Sequence, residues 1–392
     1  MNVLLVSSSS GSTGGGESYL YYLAIGLTRL GHCVHAICST SPEMDKLAEN
    51  LGKLGEVQRV QFINTYQRRA RLLSAVLDLG QQRRLSRAFR EFHPEVIHIN
   101  QQVAEDALDL VLAARNSGVP FLSTIHIARS AEELGARFGS LRDFVTSIVL
   151  RKMNAVHVTV AESARAKLIS RFSCLDPENV RVVLNGVLFS DLNDATKERT
   201  RKRWGVGPGE IVLGSVGRLD AQKAPNFALD VIAALRRKGH PVRYVWIGDG
   251  SMHTAFKEQA QHLGIIDFVK LEGWRDDVSS CLQGLDILVM PSNFEGLPLA
   301  LLEAMAAGLC CCVSNVDGMA EAIDHGLTGY LCDPGNLGSW CRQLEALIND
   351  PTLSLVTGSR ARDVARRRFG VETMAHNTFK VYQDVVRSYQ RL

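Results

Sequence analysis

The alternation of short apolar runs with helical patterns constrains this chain more than any other feature. Apolar runs at 3–6, 33–37, 96–99 and 121–125 are interleaved with helix-period stretches at 17–29 and 104–115. Parallel strands need a crossover between them, so this order predicts a parallel sheet covered by helices. A second series begins after the polar stretch 191–203, with strands expected near 211–216, 242–247, 268–271, 287–290 and 309–313, each followed by a helical segment. The chain therefore reads as α/β, with two Rossmann-like domains in tandem. Its 392 residues suit two cores better than one. From 351 to 392 the pattern is helical, with no strand left to pair with it.

The strand-to-helix loops SSSSGSTGGGE, VGRLDAQKAPN, IGDGS and PSNFEGLP fall at the carboxyl ends of their strands. Open α/β sheets bind ligands there, so the site is expected in the cleft between the domains. Within FEGLPLALLEAMAAG, Glu295 stands in the loop and Glu303 about one and a half turns into the following helix. Gly296 allows close backbone approach, and Pro298 is expected at the first helical position, where its fixed φ is favourable. Two carboxylates beside exposed helix N-terminal amides suit a phosphorylated, polyhydroxylated ligand.

Other groups join these loops. Gly14, Gly15 and Gly16 open the first helix, but Tyr19 breaks the G-x-G-x-x-G spacing and no acid ends the second strand, which disfavours a nicotinamide dinucleotide. Arg218 and Lys223, five residues apart in one loop, could converge on one anion, the arginine as a fork and the lysine as a point charge. His126 ends a strand and reads either as a structural histidine or as a hydrogen-bonding partner for a sugar hydroxyl. The stretch 67–90 carries Arg68, Arg69, Arg71, Arg83, Arg84, Arg87 and Arg90 among leucines, valine and phenylalanine. It is a solvated helix face or a contact with an anionic membrane.

Forty-four basic and 41 acidic residues give a net charge of +3, which points away from nucleic acid. MNVLLVSSSSG has a four-residue apolar run and no basic segment before it, so it reads as a first strand, and a cytoplasmic location is expected, with peripheral contact at the inner face of the membrane the alternative. No uncharged run is long enough to span a bilayer. Nine cysteines without C-x-x-C pairs include Cys310, Cys311 and Cys312 in one expected strand, and they read as reduced core residues. No metal site and no cofactor are expected.

Taken together, these segments resemble the family-4 retaining glycosyltransferases of GT-B fold. The resemblance rests on GGGESYLYYLAIGLTRLGHCV, on VVLNGV at 182–187, on VGRLDAQKAPNFALD, on the E-x7-E element and on GMAEAIDHGLTGYL. It implies Rossmann-like domains at 1–188 (acceptor) and 189–368 (donor), with 369–392 crossing back to the first. It also implies that Arg218 and Lys223 meet a departing diphosphate, that Glu295 and His126 place the donor sugar, and that Glu303 holds the ribose. Gly14, Gly15 and Gly16, with the amides of Gly296, Leu297, Pro298 and Leu299, would border sugar or diphosphate, and the base would meet backbone at Gly273, Trp274 and Arg275. The implied reaction moves a hexose from a nucleoside diphosphate sugar, UDP-glucose being the leading choice, to a hydroxyl of a lipid-linked or polysaccharide-precursor acceptor, with retention and without a metal. A same-fold epimerase or phosphorylase and a catalytically silent nucleotide-sugar-binding scaffold are the rival readings. Two departures are noted, Asp317 for a frequent glycine and Ala161 for a frequent serine, and both are expected to be peripheral to the chemistry.

Overall fold

The computed structural model describes residues 1–9, 14–63, 68, 71–153 and 155–391. Loop residues 10–13 and Arg69, both invoked above, lie outside the described residues. The chain divides into two units, Met1–Gly186 with Val371–Leu392, and Val187–Gly370.

Unit 1 is built on the strands β1 Asn2–Ser7, β2 Cys33–Ser39, β3 Val57–Val60, β4 Val96–Val103, β5 Phe121–Ile127, β6 Val156–Thr159 and β7 Val180–Val182. Their spatial order is β3-β2-β1-β4-β5-β6-β7, and every pairing is parallel. The central strands β1, β4 and β5 are buried on both faces because helices cover both. Leu4, Val6, Ile97, Ile99, Leu108 and Phe121 sit in one buried cluster. The helix expected from 104 begins only at Leu108, because Ala107 takes φ 52° and breaks the helical path ahead of it. The helix Val371–Tyr389 also belongs to this unit and lies along the first helix, Gly15–Arg29. Gly26 makes that packing close, since a Cβ there would fall 2.4 Å from the Val371 carbonyl oxygen. Arg29 and Glu372 add an exposed ion pair at 2.5 Å, worth little by itself.

Unit 2 holds β8 Ile211–Val216, β9 Val242–Ile247, β10 Val269–Gly273, β11 Ile287–Met290, β12 Cys310–Ser314 and β13 Tyr330–Cys332. The order is β10-β9-β8-β11-β12-β13, again all parallel. Cys310, Cys311 and Cys312 are buried in β12, as their apolar setting implied. Trp246, Tyr244, Phe256 and Trp340 fill the core on one side. The helix Pro351–Arg368 stays with this unit and packs on the helix Leu299–Ala306. Among the described residues, no helix is long and apolar enough to cross a membrane.

In both units the first strand has its sequence neighbour on one side and the fourth strand on the other. The strand order reverses there, so the loops leaving β1 and β4, and those leaving β8 and β11, flank a crevice in each sheet.

Candidate functional site

In unit 2 the loop after β8 carries Gly217 to Lys223 and the loop after β11 carries Pro291 to Pro298. The reversal of strand order brings them side by side. Gly217 has φ 148°, and a Cβ there would meet the Lys223 Cε at 3.0 Å, so the glycine lets the lysine stem lie across the backbone. The Lys223 ammonium reaches the Glu295 Oε1 at 2.5 Å, with side chains 14% and 6% exposed. Gln222 Nε2 donates to the Phe294 carbonyl at 3.1 Å and to Glu295 Oε2 at 3.3 Å. Asn293 closes the same seam, its Nδ2 donating to the Ala221 carbonyl at 2.8 Å. The carboxylate and ammonium are thus held by two loops rather than by one.

Arg218 takes a different course from the one expected. Its side chain is 54% exposed and pairs with Asp220 at 3.4 Å. Arg218 and Lys223 therefore each have a carboxylate of their own, and convergence on a shared anion would require Arg218 to swing off Asp220. Such a rearrangement costs little, because an exposed ion pair is weak.

Pro298 is also placed differently. It is the residue before the helix, with φ −71° and ψ 125°, and Leu299 is the first helical residue. The extended ψ keeps Pro298 outside the helix, whose N-terminal amides begin at Leu299. Glu303, half-buried, is the fifth residue of Leu299–Ala306, while Gly296 and Leu297 are buried in the approach to it. The hydroxyls of Ser292 and Ser314, at the carboxyl ends of β11 and β12, are buried with no hydrogen-bond partner among the described residues. A buried hydroxyl without a partner is costly, and a ligand in the crevice would satisfy it.

Asp317, expected to be peripheral, reaches this loop. Its Oδ2 accepts the Glu295 N–H at 3.2 Å, and its backbone adopts φ 45°. That left-handed conformation explains why glycine suits the position, and aspartate is among the few other residues that tolerate it. Gln222, Asn293, Ser292 and Ser314 were not singled out in the sequence. The only signal for the first three was that they sit in the two loops, and for Ser314 that it ends a strand.

At the far side of the same sheet end, Gly273 has φ 74° and its carbonyl accepts the Gly248 N–H at 2.8 Å. Trp274 is half exposed, its Nε1 donating to Asp276 at 3.2 Å, and Arg275 Nε donates to Asp277 at 2.8 Å. Trp274 offers a flat apolar face to solvent, a surface of the kind on which a nucleobase stacks.

Unit 1 has a quieter site. Gly14 precedes the first helix, and its N–H donates to the buried Glu17 carboxylate at 2.7 Å. Gly16 is pinned, since a Cβ there would clash with Gln102, whereas the space over Gly15 is open. Asn100 Nδ2 donates to the Gly16 carbonyl at 2.9 Å, which leaves its Oδ1 to accept from His126 Nε2 at 2.7 Å. His126 is therefore protonated at Nε2, and its Nδ1 is the acceptor nitrogen. Burial pushes its pKa down to about 4, so the ring is neutral at pH 7. Tyr19 meets the ring edge-on with centroids 4.7 Å apart, and its hydroxyl lies 3.1 Å from the Thr124 hydroxyl. Thr124 continues to His98 Nε2 at 2.8 Å, and His98 Nδ1 to the Tyr382 hydroxyl at 2.7 Å.

The comparisons with known proteins agree with this architecture. Residues 13–188 match the family model described as Glycosyltransferase Family 4, and residues 196–364 match the one described as Glycosyl transferases group 1. The chain is 30% identical to a D-inositol 3-phosphate glycosyltransferase of Corynebacterium kroppenstedtii, over 59% of this chain and 53% of that enzyme. The match thus spans about half the length of that relative. It is 26% identical to the UDP-Gal:alpha-D-GlcNAc-diphosphoundecaprenol alpha-1,3-galactosyltransferase of Escherichia coli, over 70% of this chain and 72% of the relative. The crystal structure of Anabaena Alr3699/HepE in complex with UDP and glucose superposes with a TM-score of 0.80 at 20% identity, covering 98% of this chain and 99% of that one. At that identity the likeness establishes the fold, two Rossmann-like domains of the GT-B type.

Proposed function

The chain belongs to glycosyltransferase family 4, and from that membership we propose that it transfers a hexose from a nucleoside diphosphate sugar to an acceptor hydroxyl, with retention at the anomeric carbon and without a metal ion. The observation that carries the reading is the Lys223–Glu295 pair, held at 2.5 Å by two loops at the point where the strand order of unit 2 reverses. An ammonium beside helix N-terminal amides stabilises charge on a departing diphosphate. A carboxylate beside it accepts hydroxyl protons of the sugar and fixes its orientation. Glu303, one turn further along, takes the ribose hydroxyls, and the backbone at Gly273, Trp274 and Arg275 takes the base.

In the reaction the bond between the anomeric carbon and the diphosphate oxygen breaks, and the acceptor oxygen forms its bond to the same face of that carbon. The acceptor proton passes to a phosphate oxygen of the leaving group, and nucleoside diphosphate departs. Lys223 and the Glu295-loop amides bear the charge that develops on that leaving group, with Arg218 joining once it leaves Asp220. Unit 1 supplies the acceptor side, with open space above Gly15 at the first helix, and its neutral His126 presents Nδ1 to a hydroxyl of the donor sugar.

UDP-glucose is the proposed donor, a choice supported by the UDP and glucose bound to the Anabaena protein of the same fold. A lipid-linked or polysaccharide-precursor hydroxyl is the proposed acceptor, supported by the diphosphoundecaprenol substrate in the name of the Escherichia coli relative. A thermal-shift panel of UDP, GDP and ADP sugars tests the donor, since a ligand at a hundred times its Kd adds about 2.7 kcal/mol of apparent stability. NMR of the product then reads the anomeric configuration. Absence of transfer from every sugar nucleotide, with binding retained, would replace this reading by a binding scaffold.

A further inference from the structure

The helix Gly139–Arg151 of unit 1 buries Val149 and Leu150 in its last turn, but over its first turns it turns polar residues in and apolar ones out. The residues it buries include Arg142 and Thr146, while Leu141, Phe144 and Ile148 are exposed. Spaced at i, i+3 and i+7, these three form one stripe along the solvent face, extended at its start by exposed Phe138. Phe144 is 63% exposed. On the inner side the Arg142 Nε and Nη2 have no acceptor among the described residues. A polar residue turned in and aromatic and aliphatic residues turned out reverse the arrangement that water selects, so the outer face is suited to another medium.

The neighbouring helix Arg71–Leu77 packs beside it and continues the patch. Leu73 and Leu77 are exposed, as is Leu79 at the start of the next helix, Leu79–Glu91, with Leu77 at 72%. Along that last helix Arg83, Arg84, Arg87 and Arg90 are exposed on one face. Arg137, Arg151 and Lys152 are exposed at the two ends of the helix Gly139–Arg151. Of the acids nearest in sequence, Asp78 pairs with Arg68 at 3.4 Å, Asp143 with Arg171 and Glu133 with Arg129 at 3.9 Å, so that Glu91 and Glu132, each hydrogen-bonded to a neutral side chain, are outnumbered by the seven exposed cations just named. The apolar patch is therefore framed by cations.

We propose that this face of unit 1 docks on an anionic lipid bilayer, with Phe138, Leu141, Phe144, Ile148, Leu73 and Leu77 entering the headgroup boundary and the arginines meeting lipid phosphates. A shallow apolar wedge with a basic frame is the pattern of a protein that lies on a membrane without spanning it. A second copy of the chain is a poorer occupant. In a two-fold contact the patch meets itself, which sets one arginine frame against the other. The proposal deepens the lipid-linked acceptor reading and rests on it for its purpose, but not for its geometry.

The test is co-sedimentation of the full chain with vesicles of equal parts phosphatidylglycerol and phosphatidylcholine, against pure phosphatidylcholine, at low and high salt. Two exposed-site triple variants are compared, Leu141→Ser/Phe144→Ser/Ile148→Ser and Arg83→Glu/Arg84→Glu/Arg87→Glu, with circular dichroism to establish that both fold. Expected is binding to the anionic vesicles, weakened by salt, and weaker by at least about 100-fold in the arginine variant, since three juxtamembrane cations are lost and three acids added. The serine variant should lose binding even at low salt. Wild-type protein that stays in the supernatant at low salt, or a serine variant that sediments as wild type, overturns the proposal. So does a dimer that the serine variant dissociates in the absence of vesicle binding, which would assign the patch to a second copy. Lys223→Met should sediment as wild type, so vesicle binding without sugar transfer in the wild type would count against the transferase reading alone.

Discussion

Unit 1 and unit 2 share a strand order, yet they furnish its crevice with opposite kinds of chemistry. In unit 2 the loops at the reversal of strand order meet through charge, Lys223 on Glu295, with Asp317 behind the Glu295 amide. In unit 1 the corresponding strands carry a neutral, buried chain of hydrogen bonds, from Gly16 through Asn100 to His126, and from Tyr19 through Thr124 and His98 to Tyr382. The fold decides where a ligand sits, and the residues at the strand ends decide what it can be. A charged crevice suits a diphosphate. A neutral one suits hydroxyl groups, which gain from directed hydrogen bonds and little from net charge.

The largest expected effect breaks the comparison on the unit 2 side. Lys223→Met should lower kcat by roughly 100- to 1,000-fold, the scale of losing one donor to a developing anion. Because it strands the nearly buried Glu295, it should also destabilise unit 2. Steady-state kinetics and melting of the single variant beside Lys223→Met/Glu295→Gln separate the two consequences, since the double variant restores much of the stability and none of the turnover. Near-normal turnover in Lys223→Met would remove the functional meaning of the contrast.

Acidification sharpens the comparison from the unit 1 side. Burial lowers the pKa of His126 and His157 to about 4 and that of His98 to about 3, so each binds a proton in the unfolded chain before it does in the folded one. Stability is complete above the ordinary histidine pKa and falls as the pH drops from there toward the folded values. Each group should contribute a loss on the order of 3 kcal/mol across that window. Urea melts at pH 7 and pH 5, followed by hydrogen exchange, should show strands β4 and β5 opening before β8 and β11. Equal loss in both units would contradict the account.

Tyr382→Phe should cost about 1–2 kcal/mol, the scale of a buried histidine nitrogen left without its partner. Its melting temperature should fall while UDP binding is unchanged. The smallest effect belongs to Asp317→Gly. Relief of the left-handed backbone and loss of the bond to the Glu295 amide oppose each other, so stability should move by less than about 1 kcal/mol. A severalfold change in the donor KM, read without a change in melting, would mark Asp317 as a setter of the Glu295 loop.

The parts of this contrast that the sequence displayed are those written in continuous apolar runs. β1, β8, β9 and β11 are buried on both faces and could be found as such. β3 reads VQRV with every residue half-buried, and β13 has three residues, so neither has enough apolar length to stand out. Glu295, Glu303 and Lys223 were visible because loops after strands are where such residues act. The bond between Asp317 and Glu295 was not, for it depends on one positive φ 22 residues away from its partner. His98 and Thr124 interrupt their strands with polar side chains, and only the helix that brings Tyr382 beside His98 reveals their purpose. The exposed stripe on Gly139–Arg151 was hidden for a related reason. Periodicity identifies a face, but the packing decides which face looks outward.

The return of Val371–Tyr389 to unit 1 imposes an order on biosynthesis. Ribosomes release the seven strands of unit 1 first, but Gly26 and His98 must wait for partners encoded after the whole of unit 2, His98 for a hydroxyl 284 positions downstream. Until then the first helix exposes the surface that the last helix will cover. Unit 2, continuous in sequence, can complete itself during that interval. The domain translated first is thus the last to be finished.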